Sequence, residues 1–451
     1  MPINPKPTAM SYFAASDAFR DGTDSPRAFL ERCFETIAAH EPKIGAFVAT
    51  NPAAARAVAD TASERWKSGA NLSSIDGMPV GIKDIMETHD MATEQGSALF
   101  AGWGMGRDSA AVAALREAGA VIVGKTVTTE FAATEPRGTR NPWDLERTPG
   151  GSSSGSAAAV AAGMLPAALG TQVIGSTLRP ASYCGCFGFK PSIGGINRGG
   201  SFDGFSQSCT GTIAASLAEA WTVAREISAR AGGDAGYLGL MGPMDLPGAR
   251  MPERVVMLQT AGWDDAADDA KQALADARGR MSAAGIEVID RTTSPVVEAA
   301  ESAIADARPL SMNINAWEGR WPLNTYARDM DREALSGSAL ERLATAEALS
   351  QEDYQVLLAE RERVRRAYAA LAAHGEVCVS LAASSAAPTG LASTGDPTFL
   401  VPSSLLGTPA VSLPVLRAEG LPLGLQLIGF VDRDEGMFAA AGAILSLFEG
   451  E

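Results

Sequence analysis

Histidine and cysteine are scarce in this chain, and neither is grouped in a way that builds a site. Three histidines, His40, His89 and His374, fall in unrelated segments of 451 residues. None has metal-ligand spacing, and each reads as a structural or surface side chain. The five cysteines, Cys33, Cys184, Cys186, Cys209 and Cys378, are odd in number and scattered. They are mostly set in apolar sequence, as the free thiols of a cytoplasmic protein are. Cys184-Gly-Cys186 has no second cysteine pair to complete a metal or redox site. Positive charge is also short: 37 Lys and Arg against 53 Asp and Glu leave a net −16. A phosphate-binding face wants the opposite balance, so no nucleic-acid partner is expected. No run of about 18 apolar residues occurs, so no membrane-spanning helix is expected. The opening MPINPKPTAMSYFAASDAF has no basic segment followed by an apolar one and does not read as a signal peptide.

What is present fits a soluble globular protein, 46% hydrophobic and 20% charged. The length exceeds the roughly 250–300 residues of a usual single core, though large α/β enzymes with one extended sheet exceed it too. Residues 10–70 carry apolar positions at helical spacing in PRAFLERCFETIAAH (26–40) and AAARAVADTASERW (53–66), which predicts a helical N-terminal layer. GMPVGIKDI reads as a buried strand. A helix–Gly–strand alternation, the α/β signature, follows in SAAVAALREAGA (109–120) with AVIVGKT. It recurs in 266–285 with IEVID (286–290) and in 360–375 with EVCVSL (376–381). PAVSLPV (409–415) and LPLGLQLIGF (421–430) read as two buried strands across a Gly-containing turn. The expected architecture is one domain over 1–451: a single large mixed, mostly parallel twisted sheet surrounded by helices. Residues 71–225 form its core, 230–350 a variable, substrate-facing helical insertion, and 351–451 the C-terminal part of the core.

The chemistry concentrates in two serines 24 positions apart, Ser152 in TPGGSSSGSAAAVAAG (148–163) and Ser176 in GTQVIGSTLRPASYCG (170–185). A serine hydroxyl is a poor nucleophile at its own pKa and needs a base within hydrogen-bond reach. Lys83, between Gly81-Ile82 and Ile85-Met86, sits in an apolar neighbourhood that pushes a lysine pKa down and leaves a neutral amine. The Gly/Ser loop lacks the GK[ST] ending of a phosphate loop and the GxGxxG spacing of a dinucleotide fold.

The stretch GGSSSGSAAAVAAGMLPAALGTQVIGSTLRPASYCGCFGFKPS (150–192) resembles the signature of the amidase signature family, the Ser–cis-Ser–Lys amidohydrolases. MPVGIKD (78–84), VGKTVTTEFA (123–132), NPWDLERTPGG (141–151) and GLPLGLQLIG (420–429) extend the resemblance, and SQSCTGTIAASLAEA (206–220) fits loosely. Residues of about 230–350 have no counterpart. The resemblance implies Ser176 as nucleophile, Ser152 as bridging serine after a cis Gly151–Ser152 peptide, and Lys83 as general base. It also implies an oxyanion hole from the backbone N–H groups of Val173, Ile174, Gly175 and Ser176, with Ser153 supporting by hydrogen bonding. No metal and no organic cofactor is implied.

The commoner family pattern is T-D-x-G-G-S-x-R. Here the aspartate position is Gln172, the arginine position is Leu178 and the first glycine position is Ile174. Both ends of an ion pair are missing together, which avoids a buried unpaired charge. Arg179, three residues after Ser176, gives TQxxGSxxRPAxYCG, which resembles the malonamidase-like branch, where the equivalent arginine holds the substrate carboxylate. A guanidinium fork suits that role; the alternative is an arginine that braces its own loop. Ser153, Thr171 and Gln172 contact substrate or, more simply, scaffold. In 311–329, Asn315, Trp317, Glu318, Arg320 and Tyr326 line the pocket or form an ordinary half-exposed helix. The expected function is cleavage of a carbon–nitrogen bond in a small acidic substrate by a cytoplasmic enzyme without nucleic-acid or membrane partners, with a homodimer left open. Three alternatives stay open: deamination of an enamine-type amino acid such as an aminomuconate, a subunit of a tRNA-dependent amidotransferase, and a non-catalytic binding protein.

Overall fold

A computed structural model describes residues 7–448; the first six residues of the segment read for a leader lie outside them. Eleven strands build one sheet. They are β1 (Phe47–Thr50), β2 (Pro79–Lys83), β3 (Val121–Thr126), β4 (Ala167–Gln172), β5 (Phe187–Lys190), β6 (Cys209–Ala214), β7 (Arg254–Met257), β8 (Glu287–Ile289), β9 (Val377–Leu381), β10 (Ala410–Ala418) and β11 (Leu421–Ile428). Their order across the sheet is β1-β3-β2-β4-β6-β5-β10-β11-β9-β7-β8. Helices such as Pro26–Ile44, Pro52–Ser68, Ala110–Glu117 and Leu217–Ala231 flank it.

The sheet is mixed, as expected, but parallel pairs are the minority. β2 is parallel to β3 and β4, and β7 to β8 and β9; the other six pairings are antiparallel. The reason lies in the connections. β10 and β11 form a hairpin across Glu419–Gly420, and β6 returns against both β4 and β5. The 230–350 segment is not a purely helical insertion either, because it supplies β7 and β8 to the sheet edge. The N-terminal helical layer likewise contains β1, which pairs with β3.

β2 explains the position of Lys83. All five residues of PVGIK are buried between two parallel neighbours, where a strand reads as an unbroken apolar run. Lys83 is its last residue, so a charge-bearing side chain emerges at the carboxyl end of the β3-β2-β4 trio. In α/β sheets that edge is where ligands bind. The next residue, Asp84, pairs with Lys125 of β3 at 3.0 Å, both side chains fully buried. Lys125 Nζ also donates to Met86 O (2.8 Å) and Thr93 Oγ1 (2.7 Å), tying the chain after β2 to β3.

The Gly/Ser stretch packs against the same edge as the Ser154–Ala161 helix, every residue of which is buried. A Cβ at Gly155 would collide with the Ala46 carbonyl and the Val127 amide, so only glycine lets the helix start close against the end of β3. Removing one partner of the Asp84–Lys125 pair strands a charge in the core. Lys125→Met should cost about 3–5 kcal/mol in urea unfolding, and the double change Asp84→Leu/Lys125→Met should recover much of it.

Candidate active site

Lys83 Nζ, wholly buried, donates to Ser152 Oγ at 2.7 Å and to Thr171 Oγ1 at 2.8 Å. An ammonium carries three N–H donors; two partners suit a neutral amine. Burial pushes the Lys83 pKa down to about 7, against the opposing pull of the Asp203 carboxylate. No carboxylate forms an ion pair with it among the described residues. Asp203 is itself buried and accepts from the hydroxyls of Ser201 and Ser208.

Ser152 follows a cis Gly151–Ser152 peptide, as predicted from the resemblance. Both carbonyls flanking the bond are held: Gly151 O accepts from Arg179 Nη2 (2.8 Å), and Ser152 O from Thr129 N (3.2 Å). Ser153 N donates to Ser176 O (3.2 Å), which joins the Gly/Ser loop to the Ser176 turn.

The turn after β4 has a polarised hydrogen-bond pattern. Its carbonyls are taken: Val173 O by Gln207 Nε2 (3.3 Å), Ile174 O by Ser404 Oγ (2.9 Å), Gly175 O by Arg179 N (3.0 Å) and Ser176 O by Ser153 N. The N–H groups of Val173, Ile174, Gly175 and Ser176 make no hydrogen bond among the described residues. Backbone donors left without a partner are what an oxyanion hole requires. Ser176 is half-buried and lines a cavity of about 470 Å³ together with Val173, Ile174 and Arg179. Its hydroxyl forms no hydrogen bond with Ser152 Oγ among the described residues.

Three residues expected near substrate stand behind the cavity wall. Thr171 is buried and holds Lys83. Ser153 is buried, and its Oγ accepts from Thr171 N (3.3 Å). Gln172 is buried, and its Oε1 accepts from Thr177 N (3.1 Å) and Leu178 N (3.0 Å). It thereby satisfies the first amides of the Leu178–Cys184 helix. A neutral amide can do this without a buried counter-charge, which is why Leu178 can be apolar and fully buried. None of the three lines the cavity, and each makes the scaffold contacts just given.

Arg179 does brace its surroundings. Its Nη1 donates to Gly395 O (2.7 Å), and its Nη2 to Gly151 O and Thr394 Oγ1 (3.0 Å). Its Nε has no partner, and no acid forms an ion pair with it among the described residues. Asn315 reaches the cavity, as do Arg342, Arg308 and Thr394, which the sequence did not single out. These sit on ordinary helical or loop sequence, and no local pattern marks them. Trp317, Glu318 and Arg320 line a neighbouring open cleft, and Tyr326 packs on Phe100 and Phe131. Tertiary structure also gathers His89, Asp90 and Asp108 at the surface, with both acids paired to Arg116.

A sequence model of the family described as Amidase matches residues 28–437. Over 447 residues the chain is 34% identical to a glutamyl-tRNA(Gln) amidotransferase subunit of Roseiflexus castenholzii, covering 90% of this chain and 89% of that protein. A 193-residue stretch is 44% identical to the protein of the same name from Chloroflexus aggregans, covering 42% of this chain and 40% of that one. Among solved structures, the crystal structure of an amidase superposes with a TM-score of 0.83 at 25% identity, over 97% of this chain and 99% of that chain. The fold is also that of 6-aminohexanoate cyclic dimer hydrolase, with a TM-score of 0.83 at 22% identity over 98% and 97% of the two chains.

Lysine-selective NMR titration should show one amine, lost in Lys83→Met, that changes protonation near pH 7. A Lys83 that titrates with the exposed lysines near 10 would contradict the buried, unpaired geometry.

Proposed function

The chain belongs to the amidase family, and we propose that it hydrolyses the carbon–nitrogen bond of a small carboxylate-bearing amide through an acyl-enzyme on Ser176. The observation that carries this reading is the buried, unpaired Lys83 amine, hydrogen-bonded at 2.7 Å to Ser152 beside the cavity that Ser176 faces. Ser152 takes the Ser176 proton and passes its own to neutral Lys83 as Ser176 Oγ bonds to the amide carbon. The link between the two hydroxyls forms with substrate in place, as catalytic hydrogen bonds often do. The free N–H groups of the 173–176 turn receive the oxyanion. Losing one such donor typically costs about 10²–10³ in rate. The proton on Lys83 then returns through Ser152 to the leaving nitrogen, the C–N bond breaks, and ammonia or an amine departs. Water adds to the acyl carbon by the same relay, restores Ser176 and releases the acid.

The preference for an acidic substrate rests on the cavity's charge, three lining arginines, Arg179, Arg308 and Arg342, against one lining carboxylate, Glu135. Arg179 and Arg342 have no ion-pair partner among the described residues, whereas Arg308 is neutralised by Asp396. Arg179 contributes its charge while its hydrogen bonds steady the Gly151 carbonyl next to Ser152. That unpaired positive charge is what supports the likeness to the malonamidase-like branch.

A second reading, one component of a tRNA-dependent amidotransferase, is favoured by the names of the curated relatives. The two readings separate on ammonia release by the purified chain alone. The screen covers dicarboxylic monoamides, ureido acids, enamine amino acids, neutral amides and glutamine. We expect acidic monoamides to be hydrolysed without a partner protein; ammonia release only on addition of partner proteins would favour the second reading. Ser176→Ala should lower kcat by about 10⁴-fold or more with an unchanged circular dichroism spectrum. Because the base must be unprotonated, kcat/KM should rise about tenfold per pH unit below the Lys83 pKa of about 7 and level off above it. A flat profile from pH 5 to 8 would remove Lys83 from the role of base.

A further inference from the structure

The cavity that Ser176 lines also holds polar atoms that the protein itself leaves unused. Asn315, on the Ala307–Asp329 helix, is only 8% exposed, yet neither Nδ2 nor Oδ1 has a hydrogen-bond partner. Buried side-chain amides are nearly always satisfied, and leaving one unpaired is destabilising. Arg342, on the Gly337–Ala348 helix, lines the same cavity. Its Nη1 has no hydrogen-bond partner, and no acid pairs with it among the described residues.

The two helices pack so that these groups share one region. Gly319 lies four residues beyond Asn315 on the same helix face. A Cβ built there would stand 3.6 Å from Arg342 Nη2 and 3.0 Å from the Phe205 ring. The Arg342 guanidinium therefore lies against the helix face that carries Asn315. Arg179, which lines the same cavity, already spends both terminal nitrogens on Gly151, Thr394 and Gly395, so its fork is not free for bidentate binding.

We propose that Arg342 and Asn315 form the carboxylate subsite of this cavity. The Arg342 guanidinium and Asn315 Nδ2 donate to a carboxylate at the end of the substrate remote from the scissile amide, and Oδ1 accepts an N–H or O–H of the same molecule. The inference rests on the amidase reading above and names its substrate class: small monoamides of dicarboxylic acids, which a cavity of about 470 Å³ admits. Arg179 then holds the Ser152 loop, and Arg342 selects the acid.

The test measures binding without turnover, in the full chain carrying Ser176→Ala. Calorimetric titration compares succinamate and glutaramate with butyramide and valeramide, in which a methyl replaces the carboxylate. The acids should bind more tightly. Adding Arg342→Ala should lower the acid-to-neutral affinity ratio about 10- to 100-fold. Arg342→Lys should restore part of it, since the charge returns without the fork. Asn315→Leu should lower the same ratio without lowering the melting temperature, because it removes two unpartnered polar atoms from a buried position. A ratio unchanged in Arg342→Ala and Asn315→Leu overturns the subsite, as does an intact pair that binds acids no better than neutral amides. Failure of the amidase reading is seen separately, as absent ammonia release from every amide by the chain with Ser176 intact.

Discussion

Lys83 Nζ lies between the hydroxyls of Ser152 and Thr171, with no carboxylate in ion-pair reach among the described residues. Burying an ammonium without a counter-ion is costly enough that the group gives up its proton instead. The surrounding architecture meets that condition. β2 is enclosed by parallel neighbours on both sides, so its last side chain emerges into a sealed space. The neighbouring acid, Asp84, is committed to a different lysine, Lys125. Adjacent in the chain thus stand a lysine that has no charge partner among the described residues and an acid that holds another lysine's charge in place.

The Ser152 loop and the Ser176 turn are held by hydrogen bonds to backbone carbonyls and amides instead of by ion pairs. Arg179 grips Gly151 O, the Ser153 amide grips the Ser176 carbonyl, and Gln172 caps the helix behind the nucleophile turn. Each contact uses a carbonyl or an amide of the turn's rear side. The N–H groups of residues 173–176 make no hydrogen bond among the described residues. This division of donors from acceptors is what the proposed oxyanion role requires, and it follows from how three separate segments meet.

Much of the arrangement is legible in the chain. Lys83, Ser152 and Ser176 can be picked out because an apolar run interrupted by one lysine, and a Gly/Ser loop running into alanines, are local patterns. The strands β2, β3, β9, β10 and β11 are readable for the same reason, since apolar run length and turn residues are adjacent in sequence. The sequence overstates the parallel share of the sheet because strand direction depends on which strands become neighbours. β6 and the β10–β11 hairpin insert between segments far apart in the chain. Nearness to Ser176 in sequence points Gln172, Thr171 and Ser153 toward substrate. The structure turns them inward, where each satisfies a buried amide or amine.

Arg179 shows the same limit from the other side. An arginine three residues past a nucleophile can face a ligand or a carbonyl, and the choice is made by Gly395 and Thr394, more than two hundred positions away. Asn315 and Arg342 carry no local signal at all, because a polar residue on a helix acquires meaning only from what it fails to contact after packing. The sequence alone determined the family resemblance, the candidate relay residues and the buried setting of the lysine, all of which are encoded in short contiguous stretches. Tertiary structure alone decided strand directions, the second cationic wall of the cavity and which polar atoms remain free, because those depend on contacts between residues hundreds of positions apart.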